Sequence, residues 1–183
     1  MVVSGHEERE ITIPAGVSAS LSGDTVSVRG KAGEVRKRFD FGRIDTRASA
    51  SKLVLSIDMP SKAELAKLNT IVSEIKTMME GVLNGYEYRL RIVYAHFPIK
   101  VQVKGQEVII ENFLGERYPR KARIEKGARV SVTGDQVVVS SPDIEGAGQT
   151  AANIERATRI KNYDKRVFQD GIYIVSKAGK LIA

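Results

Sequence analysis

Three short stretches carry residue types at spacings that chemistry can use. Gly146-Ala147-Gly148-Gln149-Thr150-Ala151 fits the G-x-G-x-x-A pattern by which a helix N-terminus receives a pyrophosphate. That use needs a parallel strand leading straight into the glycines. The preceding QVVVSS instead reads as the second arm of an antiparallel hairpin, and the corresponding place in the first half of the chain, SKAELAKL, holds no glycine. Small residues that let a helix pack closely explain the pattern better. Gly30-Lys31-Ala32-Gly33 has the GXXG form of a nucleic-acid clamp, but such a clamp joins two helices. This one joins two strands and reads as a turn. The histidines, His6 and His96, lie far apart, which disfavours an imidazole acid–base pair. There is no cysteine, hence no disulfide and no thiolate metal site, and the acidic residues show no metal-ligand spacing. No catalytic role, no cofactor and no metal are expected.

Charge points elsewhere. The 183 residues carry 29 Lys and Arg against 22 Asp and Glu, a net charge of +7, and the excess is uneven. It gathers between Arg29 and Arg47, between Glu116 and Arg129, and from Lys161 onward, whereas Lys62 to Glu80 is neutral. Basic loops and a basic tail beside a neutral helix suit a protein that presses its loops onto phosphates. No run of 18 apolar residues suggests a membrane span, and no export signal is expected from the opening residues.

The elements that must hold these groups repeat. VSASLS, Gly23-Asp24 and TVSVRG read as a hairpin with a two-residue turn. GEVRKRF and KLVLSID are further strands. Ser61-Lys62-Ala63-Glu64 is a capping box that opens a helix with Leu65, Leu68, Val72, Ile75, Met79 and Val82 on one face and Gly81 as a candidate stop. About 82 residues later KVQVK, Gly105-Gln106 and EVIIE repeat the hairpin, ARVSVT and QVVVSS supply later strands, and Asp143 starts a second helix. The fold class is therefore α+β: two tandem duplicated domains, each a small antiparallel sheet with one helix on a face, plus a C-terminal tail. Residues 1–83 form the first repeat, 84–98 a strand-like linker, 99–164 the second repeat and 165–183 a basic tail. Within that tail IYIV, Ile172 to Val175, also reads as an edge strand added to the second sheet.

The duplication, together with GVLNGYEYRLRIVYAHFPIKV, NFLGERYPRKARI and KRVFQDGIYIVSK, resembles the L-six family of large-subunit ribosomal proteins in its archaeal and eukaryotic branch. The likeness runs through essentially the whole chain. It implies a structural protein of the large ribosomal subunit, cytoplasmic and ribosome-bound, seated on large-subunit rRNA near the sarcin–ricin loop where translational GTPases dock. It also implies neighbouring large-subunit ribosomal proteins as partners, with no small-molecule substrate and no membrane. On the tail match, the expected RNA-facing residues are Lys165, Arg166, Phe168, Gln169, Asp170, Gly171 and Tyr173, with Lys177 and Lys180 beyond them. Arg117, Arg120, Lys121 and Arg123 form the expected accessory patch. Lysine and arginine neutralise phosphates, while Phe168 and Tyr173 offer faces on which bases stack. Two alternatives remain: a free RNA-binding or RNA-processing accessory protein, and a nucleotide-dependent enzyme using the Gly146 motif.

Overall fold

The computed structural model describes residues 5–49, 51–95, 97–164 and 166–182, and the chain divides into two compact units, Met1–Gly85 and Tyr86–Ala183. In the first unit β1 (His6–Thr12), β2 (Ser18–Ser22), β3 (Thr25–Gly30), β4 (Gly33–Arg38), β5 (Asp45–Ala48) and β6 (Lys52–Asp58) precede α1 (Lys62–Asn84). They form two three-stranded antiparallel sheets, ordered β1-β6-β5 and β2-β3-β4. Gly23 takes φ 57° in the β2–β3 turn, a left-handed conformation that glycine adopts without a Cβ clash. The capping box forms: the Ser61 hydroxyl accepts from Glu64 N–H at 3.3 Å, and Glu64 Oε2 accepts from Ser61 N–H at 2.8 Å. Leu68, Ile75 and Val82 are fully buried against Val28, Leu55 and Ile57. Gly81 does not stop α1; the helix runs on until Gly85, at φ 73°, ends it.

The second unit contains β7 (Tyr86–Val93), β8 (Lys100–Lys104), β9 (Glu107–Glu111), a 3-10 turn (Phe113–Gly115), β10 (Arg120–Arg123), β11 (Arg129–Thr133), β12 (Gln136–Ser141), α2 (Ile144–Ala157), β13 (Gly171–Lys177) and β14 (Lys180–Leu181). One sheet is ordered β10-β9-β8 and the other β11-β12-β7-β13-β14. Asp143 caps α2 by accepting from the N–H groups of Glu145 and Gly146. Its buried side is built from Gly146, Ala147, Thr150, Ala151 and Ile154.

Three expectations change. The segment 84–98 was expected to link the repeats; β7 instead runs down the middle of the five-stranded sheet, with Leu90 fully buried and partners on both sides. Its alternating Tyr86, Tyr88, Leu90 and Ile92 are the inward face of a core strand. The tail likewise is not a separate appendage: as the strand reading of Ile172 to Val175 has it, β13 joins the second sheet, where it pairs with β7 and buries Ile172 completely. Finally, the second repeat starts earlier than residue 99. The helix caps Ser61 and Asp143 lie 82 residues apart; Leu53 pairs with Ile11, and its counterpart Asp135 accepts from Ile92 N–H. The strand β7 is thus the repeat of β1.

The tempting motifs resolve structurally. The strand β12 is antiparallel to both neighbours, so no parallel strand feeds the Gly146 turn. A Cβ on Gly148 would stand 3.2 Å from the Tyr88 hydroxyl, so this glycine serves helix–sheet contact. Gly30 and Gly33 pair across a two-residue turn, and Ala32 N–H donates to Val82 O at 2.7 Å. Among the described residues no helix is long and apolar enough to cross a membrane.

Candidate nucleic-acid interface

The site grows from the C-terminal end of α2. A helix leaves its last carbonyls without intrahelical donors, and here Arg120, on β10, supplies one. Its Nη1 donates to Ala157 O at 2.8 Å and Arg159 O at 3.1 Å. Nε and Nη2 form a two-pronged pair with Glu116 at 2.8 and 2.6 Å, and the guanidinium lies 4.2 Å above the Phe113 ring. This pairing holds the Glu116 carboxyl below the usual carboxylate range. Arg120 was expected to meet phosphate; in the fold all its donor groups are directed at protein. Its spacing from Glu116 suits both uses, and only the approach of α2 decides between them.

The same helix end ties down the tail. Thr158 Oγ1 accepts from Ile172 N–H at 3.0 Å and Glu155 Oε1 from Ile174 N–H at 3.1 Å, so two side chains pair the outer edge of β13. Asp170 is fully buried, and its Oδ1 accepts from Ala95 N–H at 2.9 Å. Gly171 is buried as well, and a Cβ there would come within 2.9 Å of the Tyr173 ring. These two expected contacts therefore position the chain rather than face outward. Tyr173 remains part-exposed; its hydroxyl donates to Gln169 O at 3.1 Å. Burial pushes its phenol up, with the Asp170 and Glu155 carboxylates adding to the effect.

Around this anchor two concavities share Arg156 and Arg159. A groove of about 430 Å3 is lined by Arg120, Lys121, Arg156, Arg159 and Lys161, around Ala157. A cleft of about 360 Å3 adds Ile160, Phe168, Gln169 and Tyr173. Arg156, Arg159 and Lys161 are exposed. Tyr163 extends the aromatic surface, its ring centroid 4.8 Å from that of Phe168. Four cations beside three aromatic rings can neutralise consecutive phosphates while unpaired bases stack.

Arg156 and Arg159 do not stand out in the sequence, because the periodicity of α2 marks only its buried face. The run IERATRIKNYDKR, with cations at close intervals and Tyr163 among them, was the available signal.

The remaining expected residues scatter. Arg117 is exposed in the loop before β10. Lys121 borders the groove and pairs loosely with Glu107 at 3.2 Å. Arg123 lines a different concavity, toward the N-terminal end of α2 with Lys126 and Gly146. Arg166 is exposed and paired with Asp164 at 2.9 Å, which holds the Asp164 carboxyl low. Lys177 and Lys180 face each other across the β13–β14 turn. At about 3.3 Å per residue that turn lies roughly 20 Å along the strand from Gly171. Lys165 and His96 lie outside the described residues.

Comparison with known proteins agrees with this two-unit, basic molecule. The family model described as Ribosomal protein L6 matches residues 97–171, from just after β7 to the first residue of β13. The large ribosomal subunit protein uL6 of Methanococcus vannielii is 46% identical over 182 residues, covering 100% of both chains. That of Methanocella arvoryzae is 47% identical over 177 residues, covering 96% of this chain and 100% of the relative. The protein of the same name from Methanobrevibacter smithii is 43% identical over 177 residues, covering 97% and 99%. Identity at this level from end to end, over both repeats, places the chain in the ribosomal protein L6 family.

Proposed function

We propose that the second unit docks the chain onto large-subunit rRNA through the groove and cleft at the end of α2, near the sarcin–ricin loop where translational GTPases bind. As a member of its family the chain is a protein of the large ribosomal subunit and not an enzyme. The observation that carries the docking site is the convergence of Lys121, Arg156, Arg159 and Lys161 on one groove that continues into the Phe168–Tyr173 cleft. Arg120 and the β13 pairing hold the helix end rigid, so the cations are presented without a large ordering cost. The GTPase neighbourhood follows from the family resemblance and rests on no contact in the chain itself. A free accessory protein would use the same surface; co-sedimentation with large subunits at moderate salt separates that reading.

The direct test is titration of the full chain against an rRNA fragment containing the sarcin–ricin loop, repeated over a salt series. If Lys121, Arg156, Arg159, Lys161 and Arg166 each meet one phosphate, log affinity should fall against log salt with a slope of roughly −4. Replacing Arg156 and Arg159 together with Gln should reduce that slope by about 1.5. Replacing Lys62 and Lys67, on α1 and outside the groove and cleft, should leave it unchanged. Equal losses from both pairs would show that the charge acts diffusely and that no docking site exists on α2.

A further inference from the structure

The duplication leaves one position filled in the second unit and vacant in the first. In the second unit β7 has β12 on one side and β13 on the other. In the first unit its counterpart β1 has β6 on one side, and among the described residues no strand pairs with the other edge. That edge has a definite polarity. Met59 N–H donates to Gly5 O and Ile13 N–H to Ser51 O, so odd-numbered residues of β1 bond to β6. By the alternation of an antiparallel ladder, Glu8, Glu10 and Thr12 turn their N–H and C=O groups to the open side. The Glu8 carbonyl accepts from its neighbour Arg9 at 2.9 Å, as a group outside the ladder would.

Beside this edge lies a groove of about 460 Å3 between β1 and the last turns of α1. Ile11, Met79 and Leu83 give it an apolar floor, and Glu10, Lys76 and Glu80 stand on its rim. At the matching place in the second unit, Ile172 and Ile174 of β13 pack between β7 and α2. Toward the start of β1 the floor becomes polar, where Arg9 pairs with Glu7 at 2.8 Å and donates to Asn69 of α1 at 3.3 Å. The usable length is therefore Glu8 to Thr12.

Charge decides the occupant. Ser56 and Val54 of β6 correspond, 82 residues on, to Val138 and Gln136 of β12; through these partners Glu8 stands level with Arg89 and Glu10 with Arg91, so the repeat has reversed sign along this strand. On the outer face of this edge Glu8, Glu10 and Asp58 outnumber Lys52, which pairs with Glu10, in a chain whose net charge is +7. Such a face repels RNA and attracts lysine and arginine. We propose that β1 accepts, as an added strand, an extended basic segment of another protein, whose apolar side chains fill the Ile11–Met79–Leu83 groove on the helix side while its cations, on the opposite face, stand beside Glu8 and Glu10. This site is independent of RNA docking by the second unit.

The probe is a seven-residue peptide alternating lysine with isoleucine and valine, the length of β13, added to the full chain. Saturation should slow amide exchange at Glu8, Glu10 and Thr12 by about tenfold or more. The same peptide with glutamate in place of lysine should not. Thr12→Pro removes an edge donor that β6 does not use, and edge strands tolerate proline. It should abolish the protection while leaving exchange at Leu53 and Leu55 unchanged. Glu8→Lys, which leaves the backbone intact, should weaken binding about threefold, the scale of one exposed charge pair. Absence of protection, equal protection by the acidic peptide, or unaltered binding to Glu8→Lys would each overturn the proposal. So would protection of the same amides by an rRNA fragment, or by concentration alone, which would make the occupant RNA or a second copy of the chain.

Discussion

Replacing Arg120 with Lys separates holding the fold from holding phosphate, because it keeps the charge and removes the fork. A lysine ammonium is a single point that cannot serve Glu116 and the two helix-end carbonyls at once. The hydrogen bonds to Ala157 O and Arg159 O are each worth about 1 kcal/mol net. The Glu116 pair is part-exposed and adds at most a few tenths of a kcal/mol. Contact with the Phe113 ring is partly kept by either cation. The loss should be about 2 kcal/mol. For a unit the size of Tyr86–Ala183 this lowers Tm by roughly 8–16 °C. Calorimetry measures the shift, and hydrogen exchange should place the faster opening in α2 and β13 rather than in the first unit. The salt slope of RNA binding, measured where the variant is folded, should match that of the parent. An unchanged Tm with a slope reduced by nearly one unit would refute the structural role and restore Arg120 as a phosphate ligand.

Other outcomes follow from the same contacts. Because Arg120 lowers the Glu116 pKa in the folded state, the stability this pair contributes is present above the ordinary value of 4.5 and is lost as pH falls through the lower folded value. A denaturant series from pH 6 to 3 should therefore show Glu116→Gln losing less stability on acidification than the parent. Ending the chain after Asp164 should unfold the second unit rather than merely weaken RNA binding, because β13 covers an edge of β7; loss of far-UV signal and of slow exchange in β7 would report it. The single change Ile172→Ala should cost about 3 kcal/mol in urea unfolding, as expected for a fully buried isoleucine. Gly30→Ala should destabilise the first unit by about 1–3 kcal/mol, since the new Cβ would stand 2.7 Å from Val82 O; an unchanged urea midpoint would refute that packing.

Much of the fold could be read from local pattern. The hairpins, both helices and the 82-residue repeat announce themselves through strand alternation, turn glycines and two helix caps, all of which act within a few residues. The pattern failed where long-range pairing decides. HEEREIT shows too little apolar alternation to be read as a strand, yet β1 is held by β6, with Ile11 buried at one end and the Glu7–Arg9 pair and Asn69 satisfying the other. Missing β1 made its repeat, β7, look like a linker, so that IYIV could be read as a strand of the second sheet but not as the neighbour of β7. The site divides in the same way. That the second half is basic and carries aromatics is written in composition, because charge and ring type need no neighbour to exist. Which cations remain available is not: Arg120 and Lys121 are adjacent in sequence, but the strand turns one toward Phe113 and the end of α2 and the other to solvent. Arg156, Arg159 and Lys161 become a site only because β10 and β13 pack on either side of the helix end, setting its last cations beside Phe168 and Tyr173.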